Sequence, residues 1–310
     1  MLALRTAVEK VEHLEYSPDG TRLAVGGRIW TEVINVADGE RVALLNWVRG
    51  CLSAFRYDNN SLLVAYDSQM IAIVNLSGSL GNPYEGVRGG SSLGVYTRAL
   101  LAATDEWLII DSRQVTRKKL VPTSDQCPSG RATVWKSAIP DCDNVHIGCL
   151  TTYGAPLRVA ILGSMHAHVI GTNKHLYLLD GETGELIRRH RCGYGSVEHF
   201  TGSPCGGYLV GVRQSTLIVW DTAVLHLPPQ RWANDSRKQF TGVAFHPHGR
   251  YLLTASNDKS VKLWDLTCGQ VVRSYDWSAG RMRSVAVAPD GLTAAAGSDE
   301  NLVVVFDLDL

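Results

Sequence analysis

Three histidines carry the sharpest chemical pattern in the chain. His166-Ala-His168 puts two imidazoles on one face of a strand, because alternate strand residues share a face. If residues 171–174 turn the chain, His175 falls diagonally beside His168, and three imidazoles could hold zinc or copper. No carboxylate or thiol stands at a fourth ligand position, so a polar strand surface is the preferred reading. No metal or other cofactor is expected. Gly90-Ser-Ser-Leu-Gly94 matches the G-x-S-x-G of a hydrolase nucleophile elbow, whose Ser is exposed by a strand-to-helix turn. Here the motif runs into a strand at 95–97, so it is expected to be a loop. His246-Pro-His248 reads as turn chemistry, and Asp141-Cys-Asp143 with Cys149 as a solvated turn.

The elements that would position these groups are set by a repeat. An apolar strand ending in a hydrophobic residue followed by Asp or Asn recurs at Ile34-Asn35, Val74-Asn75, Ile110-Asp111, Leu179-Asp180, Trp220-Asp221, Trp264-Asp265 and Phe306-Asp307. Most spacings lie near the roughly 40–45 residues of a propeller blade, and one gap is longer, at about 69. A second element precedes these pairs: Tyr16-Ser-Pro-Asp-Gly20, Phe245-His-Pro-His-Gly249 and Val287-Ala-Pro-Asp-Gly291. Proline fixes φ and the following glycine permits the tight reversal. Each unit therefore reads as four strands, a to d, separated by turns. In the clearest unit these are residues 242–245, 251–256, 260–266 and 270–275.

That unit resembles a WD40 repeat, above all in Ser-Asn-Asp-Lys-Ser-Val-Lys-Leu-Trp-Asp-Leu from Ser256 to Leu266. The resemblance extends over nearly the whole chain and is strongest over residues 196–310. It implies an all-β fold, a closed seven-bladed β-propeller with four antiparallel strands per blade, spanning 1–310 as one domain. In that family a network joins a turn Asp, a strand-b Ser or Thr, a strand-c Trp and a His just before strand a. Asp258, Thr254 and Trp264 match the first three roles, but residues 235–241 contain no His.

The seventh unit stops at Asp309-Leu310, just after its strand c, while residues 2–8 form an apolar segment that belongs to no unit. Pairing of that segment outside residues 302–306 would close the ring and leave no three-stranded blade. The long gap predicts an insertion at about 121–153, with extra strands at 132–137 and 145–151, ahead of a fourth blade with strands at 157–164, 165–171, 175–180 and 185–189. An eighth, degenerate blade is the alternative.

Thirty basic residues balance thirty acidic ones, which argues against a generic nucleic-acid binder. The first ten residues hold no basic stretch followed by a long apolar run, so no export signal is expected. No apolar run approaches the about 18 residues of a spanning helix, so no membrane association is expected. Seven scattered cysteines without a C-x-x-C pair suit a reducing cytoplasm. The Asn-x-Ser triplets at Asn59, Asn75 and Asn234 are therefore read as chance.

Some propellers of other families carry metal-dependent or hydrolytic sites at a central channel. The innermost strands here supply only Glu12, His13, Glu15, Glu198 and His199 as acids or imidazoles, too thin a set to favour an enzyme. The resemblance implies instead a non-catalytic scaffold or adaptor for a protein or peptide, monomeric on its own. The loops joining strand d to the next strand a, at 46–51, 81–92, 190–196, 230–239 and 275–283, hold Arg49, Arg88, Arg191, Arg231, Arg237, Lys238, Arg281 and Arg283 against Glu85, Asp235 and Asp276. They also carry Trp47, Tyr84, Tyr194, Trp232, Tyr275 and Trp277, and Trp, Tyr and Arg dominate binding hot spots. An acidic partner on this face is the expectation, with the tryptophans as mere caps on strand d as its alternative.

Overall fold

In this computed structural model the described residues are 1–45, 52–56, 58–66, 70–76, 85–87, 96–101, 106–110, 114–121, 130–138, 159–162, 167–171, 175–191, 199–225 and 227–310. Short alternating or fully apolar runs between turn residues become strands. In chain order they are β1 (Leu2–Arg5); β2–β5 (His13–Tyr16, Arg22–Gly26, Thr31–Asn35, Arg41–Leu45); β6–β9 (Leu52–Phe55, Ser61–Tyr66, Met70–Asn75, Glu85–Val87); and β10–β13 (Tyr96–Leu101, Glu106–Ile110, Gln114–Val121, Gly130–Ala138). There follow β14–β17 (Val159–Leu162, Ala167–Gly171, His175–Asp180, Leu186–Arg191); β18–β21 (His199–Gly202, Tyr208–Arg213, Thr216–Asp221, Gln230–Ala233); β22–β25 (Phe240–Phe245, Tyr251–Ser256, Ser260–Asp265, Gln270–Asp276); and β26–β28 (Met282–Val287, Thr293–Ser298, Leu302–Asp307). Each group is a four-stranded antiparallel sheet in sequence order, and β1 supplies the fourth strand of the last, in the order β1-β28-β27-β26. The pairing expected of residues 2–8 is present, with Ala3 opposite Val304 and Arg5 opposite Leu302.

The chain divides into two compact units, residues 1–14 with 156–310 and residues 15–155, the division falling within β2. In the second, Ala24, Val33, Leu45, Phe55, Leu62 and Val74 pack as one buried cluster. In the first, the middle strands β23, β24 and β27 are buried almost end to end, whereas the outer β25 is mostly exposed. Central strands covered on both faces read as continuous apolar runs, which is why Leu302–Asp307 lacks alternation.

The recurring Asp or Asn has a local cause. Its side chain accepts backbone N–H bonds two residues on, closing the turn between strands c and d: Asn35 Oδ1 from Ala37, Asp180 Oδ1 from Glu182, Asp221 Oδ1 from Ala223 and Asp265 Oδ1 from Thr267. Arg250 grips the other oxygen of Asp265 at 2.7 Å and, with the Thr267 bonds, holds its pKa down at about 2.

Two expectations are corrected. Ile110-Asp111 was expected to end a third strand, but Ile110 ends β11, the second strand of its sheet. An apolar-Asp pair marks a strand meeting a turn, not which strand it is. Residues 132–137, expected inside an insertion, lie in β13, which completes the β10–β13 sheet through pairs such as Arg117 with Trp135. The strand expected at 145–151 lies outside the described residues.

The Pro-containing turns lock neighbouring sheets together. Gly291 has φ +74°, and a Cβ there would stand 2.5 Å from His246 Nε2. His246 is buried, with Nε2 2.9 Å from the Gly291 carbonyl while Nδ1 accepts from His248 N–H at 3.2 Å. Nε2 must donate and Nδ1 must be bare, so the ring is neutral. Burial, opposed by the Gly291 bond and aided by His248, lowers its pKa. A base whose folded pKa lies below its unfolded value stabilises the fold fully above the unfolded pKa of about 6.5 and loses that contribution as pH falls below it. Thermal melts should therefore show His246→Asn losing less stability than the wild type between about pH 7.5 and about pH 5.5. Equal losses in both proteins would contradict this role.

Candidate protein-interaction surface

In an antiparallel sheet of order a-b-c-d, the b–c turn lies at the same end as the entry to a and the exit from d. In the first unit the d–a loops are tied to those turns by backbone bonds: Asn234 N–H to Ser215 O at 2.8 Å, Phe240 N–H to Gln214 O at 2.8 Å, Asn257 N–H to Gln239 O at 2.9 Å and Asp299 N–H to Arg281 O at 3.0 Å. One continuous loop end results, and reading the d–a loops alone left out the acids of the b–c turns, Asp258, Asp299 and Glu300.

Of the residues expected to bind a partner, Trp47, Arg49, Tyr84, Arg88 and Tyr194 lie outside the described residues. Arg231 and Trp232 are on the outer strand β21, opposite Ile218 and Leu217, and not in a loop. Arg231 is exposed there. Trp232 is 9% exposed and stacks on Trp264 at 5.9 Å, while its indole edge fills the space above Gly269. It is part of the core, as the capping alternative would have it. Trp277 is half-buried against Phe306 at 4.6 Å and Tyr275 at 5.7 Å. Arg281 is exposed, whereas Arg283 sits within β26 with its guanidinium 3.8 Å from Asp299.

The ionic groups fall into two kinds. Asp258 and Asp299 are paired inside the surface, Asp258 with Lys262 at 3.7 Å and Asp299 with Arg283. Burial alone would raise the Asp258 pKa, but bonds from Ser236 and Ser260 outweigh it and hold it at about 2, so this carboxylate stays charged. At the end of the β22–β25 sheet the solvent then meets Arg237, Lys238 and Lys259 against Asp235 and, where β25 ends opposite Ser260, Asp276, all five exposed. Around Arg281 the field is mixed, with Asp276 and Glu300 also exposed.

Thr254, Trp264 and Asp258 do not form one chain of bonds. Trp264 Nε1 donates to Thr254 Oγ1 at 3.0 Å, both being buried, while Asp258 turns instead to Ser236 Oγ at 2.6 Å and Ser260 Oγ at 2.6 Å. Residues 235–241, where the resemblance implied a His, contain none, and Ser236 in that stretch bonds Asp258.

The strand register does not bring His168 and His175 together. His166 lies outside the described residues, and His168 pairs with Leu179 instead of Tyr177, a register offset of two from that expected. His175 is four residues from that partner along β16, roughly 13 Å at strand spacing. Among the described residues no group of three His, Cys, Asp or Glu is placed to hold a metal ion. Of the ionisable residues expected at the channel, Glu198 lies outside the described residues, and Glu15 Oε1 accepts from Phe55 N–H at 3.3 Å. Gly90-Ser-Ser-Leu-Gly94 and Asp141-Cys-Asp143 also lie outside them. No helix among the described residues is long and apolar enough to cross a membrane.

Repeated four-stranded antiparallel sheets joined by Pro-Gly and Asp-closed turns are the build of a β-propeller. The β-propeller domain of Cps50 (Swd1) from Myceliophteria thermophila superposes with a TM-score of 0.72 over 99% of this chain and 98% of that one, at 15% identity. The family model "WD domain, G-beta repeat" matches residues 234–265. The fold of the chain is thus that of a β-propeller, and residues 234–265 are similar to a WD40 repeat. COMPASS component SWD1 of Saccharomyces cerevisiae is 38% identical over 68 residues, 21% of this chain and 16% of that protein. Pre-mRNA-processing factor 19 of Dictyostelium discoideum is 36% identical over 153 residues, 44% of this chain and 28% of that protein. The alignments thus span less than a third of either relative.

Proposed function

We propose that this chain is a non-catalytic protein-interaction scaffold that binds an acidic protein or peptide through the loop end carrying Arg237, Lys238 and Lys259, flanked by Arg281 and the exposed edge of Trp277. The observation that carries the reading is the charge segregation there: Asp258 is neutralised from within by Lys262, leaving three exposed cations against Asp235 and Asp276. Exposed cations speed encounter with an acidic surface and lose their effect with salt. By name, SWD1 is a component of a larger assembly, COMPASS, which supports a scaffold role in general terms.

A reducing, intracellular setting belongs to the same reading. Cys205 and Cys268 are exposed and in no disulfide. Asn234, which opens an Asn-x-Ser triplet, is 1% exposed with both ends of its amide engaged, so it cannot carry a glycan in the folded protein.

The test is affinity capture from native extract with the wild type, Arg237→Ala/Lys238→Ala and Arg281→Ala. The double variant should weaken the captured complex by about 1–3 kcal/mol, and Arg281→Ala by less. Capture should fall between about 50 mM and about 500 mM salt. A partner indifferent to salt and to all three substitutions would refute this placement.

A further inference from the structure

Lys262 carries a buried amine on β24 that does not itself face solvent at the loop end. Its Nζ donates to Asn234 Oδ1 at 2.7 Å and lies 3.7 Å from Asp258 Oδ2. Asn234 spends its remaining groups on the loop that follows it. Nδ2 donates to Lys238 O and to Ser256 Oγ, each at 2.9 Å, and its own carbonyl accepts from Arg237 N–H at 2.9 Å. Ser236 Oγ donates to Asp258 Oδ2 at 2.6 Å, and Ser256 Oγ donates to Gln239 O at 3.0 Å. The 234–239 loop is thus bonded through Asn234, Ser236 and Gln239 to Lys262, Asp258 and Ser256, and Arg237 adopts φ +59°, an uncommon conformation for a non-glycine residue.

We infer that Lys262, Asn234 and Asp258 form a buried clamp that presets the 234–239 loop, making Lys262 a positioning residue for the exposed Arg237 and Lys238. The deduction rests on the binding surface proposed above. A buried amine is tolerated only when paired and hydrogen-bonded, and here both its partners reach the loop, Asn234 as its first residue and Asp258 through Ser236. Holding the cations in place before encounter lowers the ordering cost of binding.

Amide hydrogen exchange on the free, full-length chain tests the clamp without reference to any partner. Lys262→Met keeps the side-chain length and removes the charge. It should raise exchange at the Arg237 and Asn257 amides by about tenfold or more, as expected for a lost hydrogen bond to a charged group, while the β23 amides of Leu253 and Ala255 change by less than about twofold. Ser236→Ala, at an exposed position, opens the Asp258 arm alone and should raise Arg237 exchange by a smaller factor, and Arg281→Ala should leave all four amides unchanged. Loop amides unmoved by both Lys262→Met and Ser236→Ala would overturn the clamp. So would a rise shared equally by β23, which would make Lys262 a general packing group. In the captured complex, Lys262→Met should speed dissociation by about tenfold. If the loop opens and dissociation is unaffected, the clamp stands and the binding surface is misplaced.

Discussion

Deleting residues 1–9 from the full chain is expected to lower its stability by about 3–5 kcal/mol, from the lost burial of Val8 and the partly buried Leu2 and Leu4. The melting temperature should drop by roughly 5–8 °C. The strand ladder from Leu2 opposite Val305 to Arg5 opposite Leu302 would go with it, leaving β28 as an open edge. The following segment would be loosened too, because Thr6 N–H donates to Asn301 O at 3.0 Å and Val11 N–H to Ser298 O at 3.0 Å. Val11 itself fits against Gly297, where even a Cβ would stand 2.2 Å from it. A truncated protein melting within a couple of degrees of the full chain would show that β1 is an accessory to the last sheet and does not hold it.

Trp232→Ala should be nearly as costly, about 3–5 kcal/mol, because it empties a site packed between Trp264 and the turn at Gly269. Phe240 meets Trp264 edge-to-face at 6.2 Å, so the cavity would open into the cluster that also contains Val219, Leu252 and Leu266. Trp232 Nε1 donates to Gln230 Oε1 at 3.2 Å, which satisfies its polar atom at the edge of the sheet. Chemical denaturation measures the loss directly. The variant, while folded, should still capture the same partner with the wild-type affinity. Full stability combined with lost capture would instead make Trp232 a binding residue.

That contrast marks how far the sequence could be read. The turns were legible because their chemistry is local: Pro followed by Asp-Gly, or Asp two residues before a turn N–H, does the same thing wherever it occurs. The pairing of β1 with β28 was legible from a missing strand at one end and a surplus one at the other. Ile110-Asp111 misled because several strand ends can carry an apolar residue and an Asp, and only the pairing of β11 with β10 and β12 decides which strand this is. The histidine register depended on the length of a turn that composition does not fix, and a slip of two residues separated His168 from His175. Trp232 could not be sorted from Trp277 because a tryptophan beside arginines looks alike whether its ring turns inward or outward. The acids of the b–c turns were visible as residues, but their sharing an end with the d–a loops is a consequence of topology. Asn234 stood in plain view as part of an Asn-x-Ser triplet. Its role emerges only when Lys262, 28 residues away, is seen to donate to it.

The central claim, that the loop end of the β22–β25 sheet receives an acidic partner, is tested most directly by zero-length carbodiimide coupling of the captured complex followed by mass spectrometry. This chemistry joins an amine only to a carboxylate in contact with it. Lys238 and Lys259 should be joined to Asp or Glu residues of the partner, and these links should disappear at about 500 mM salt. Links confined to other lysines, with Lys238 and Lys259 uncoupled in an intact complex, would contradict it.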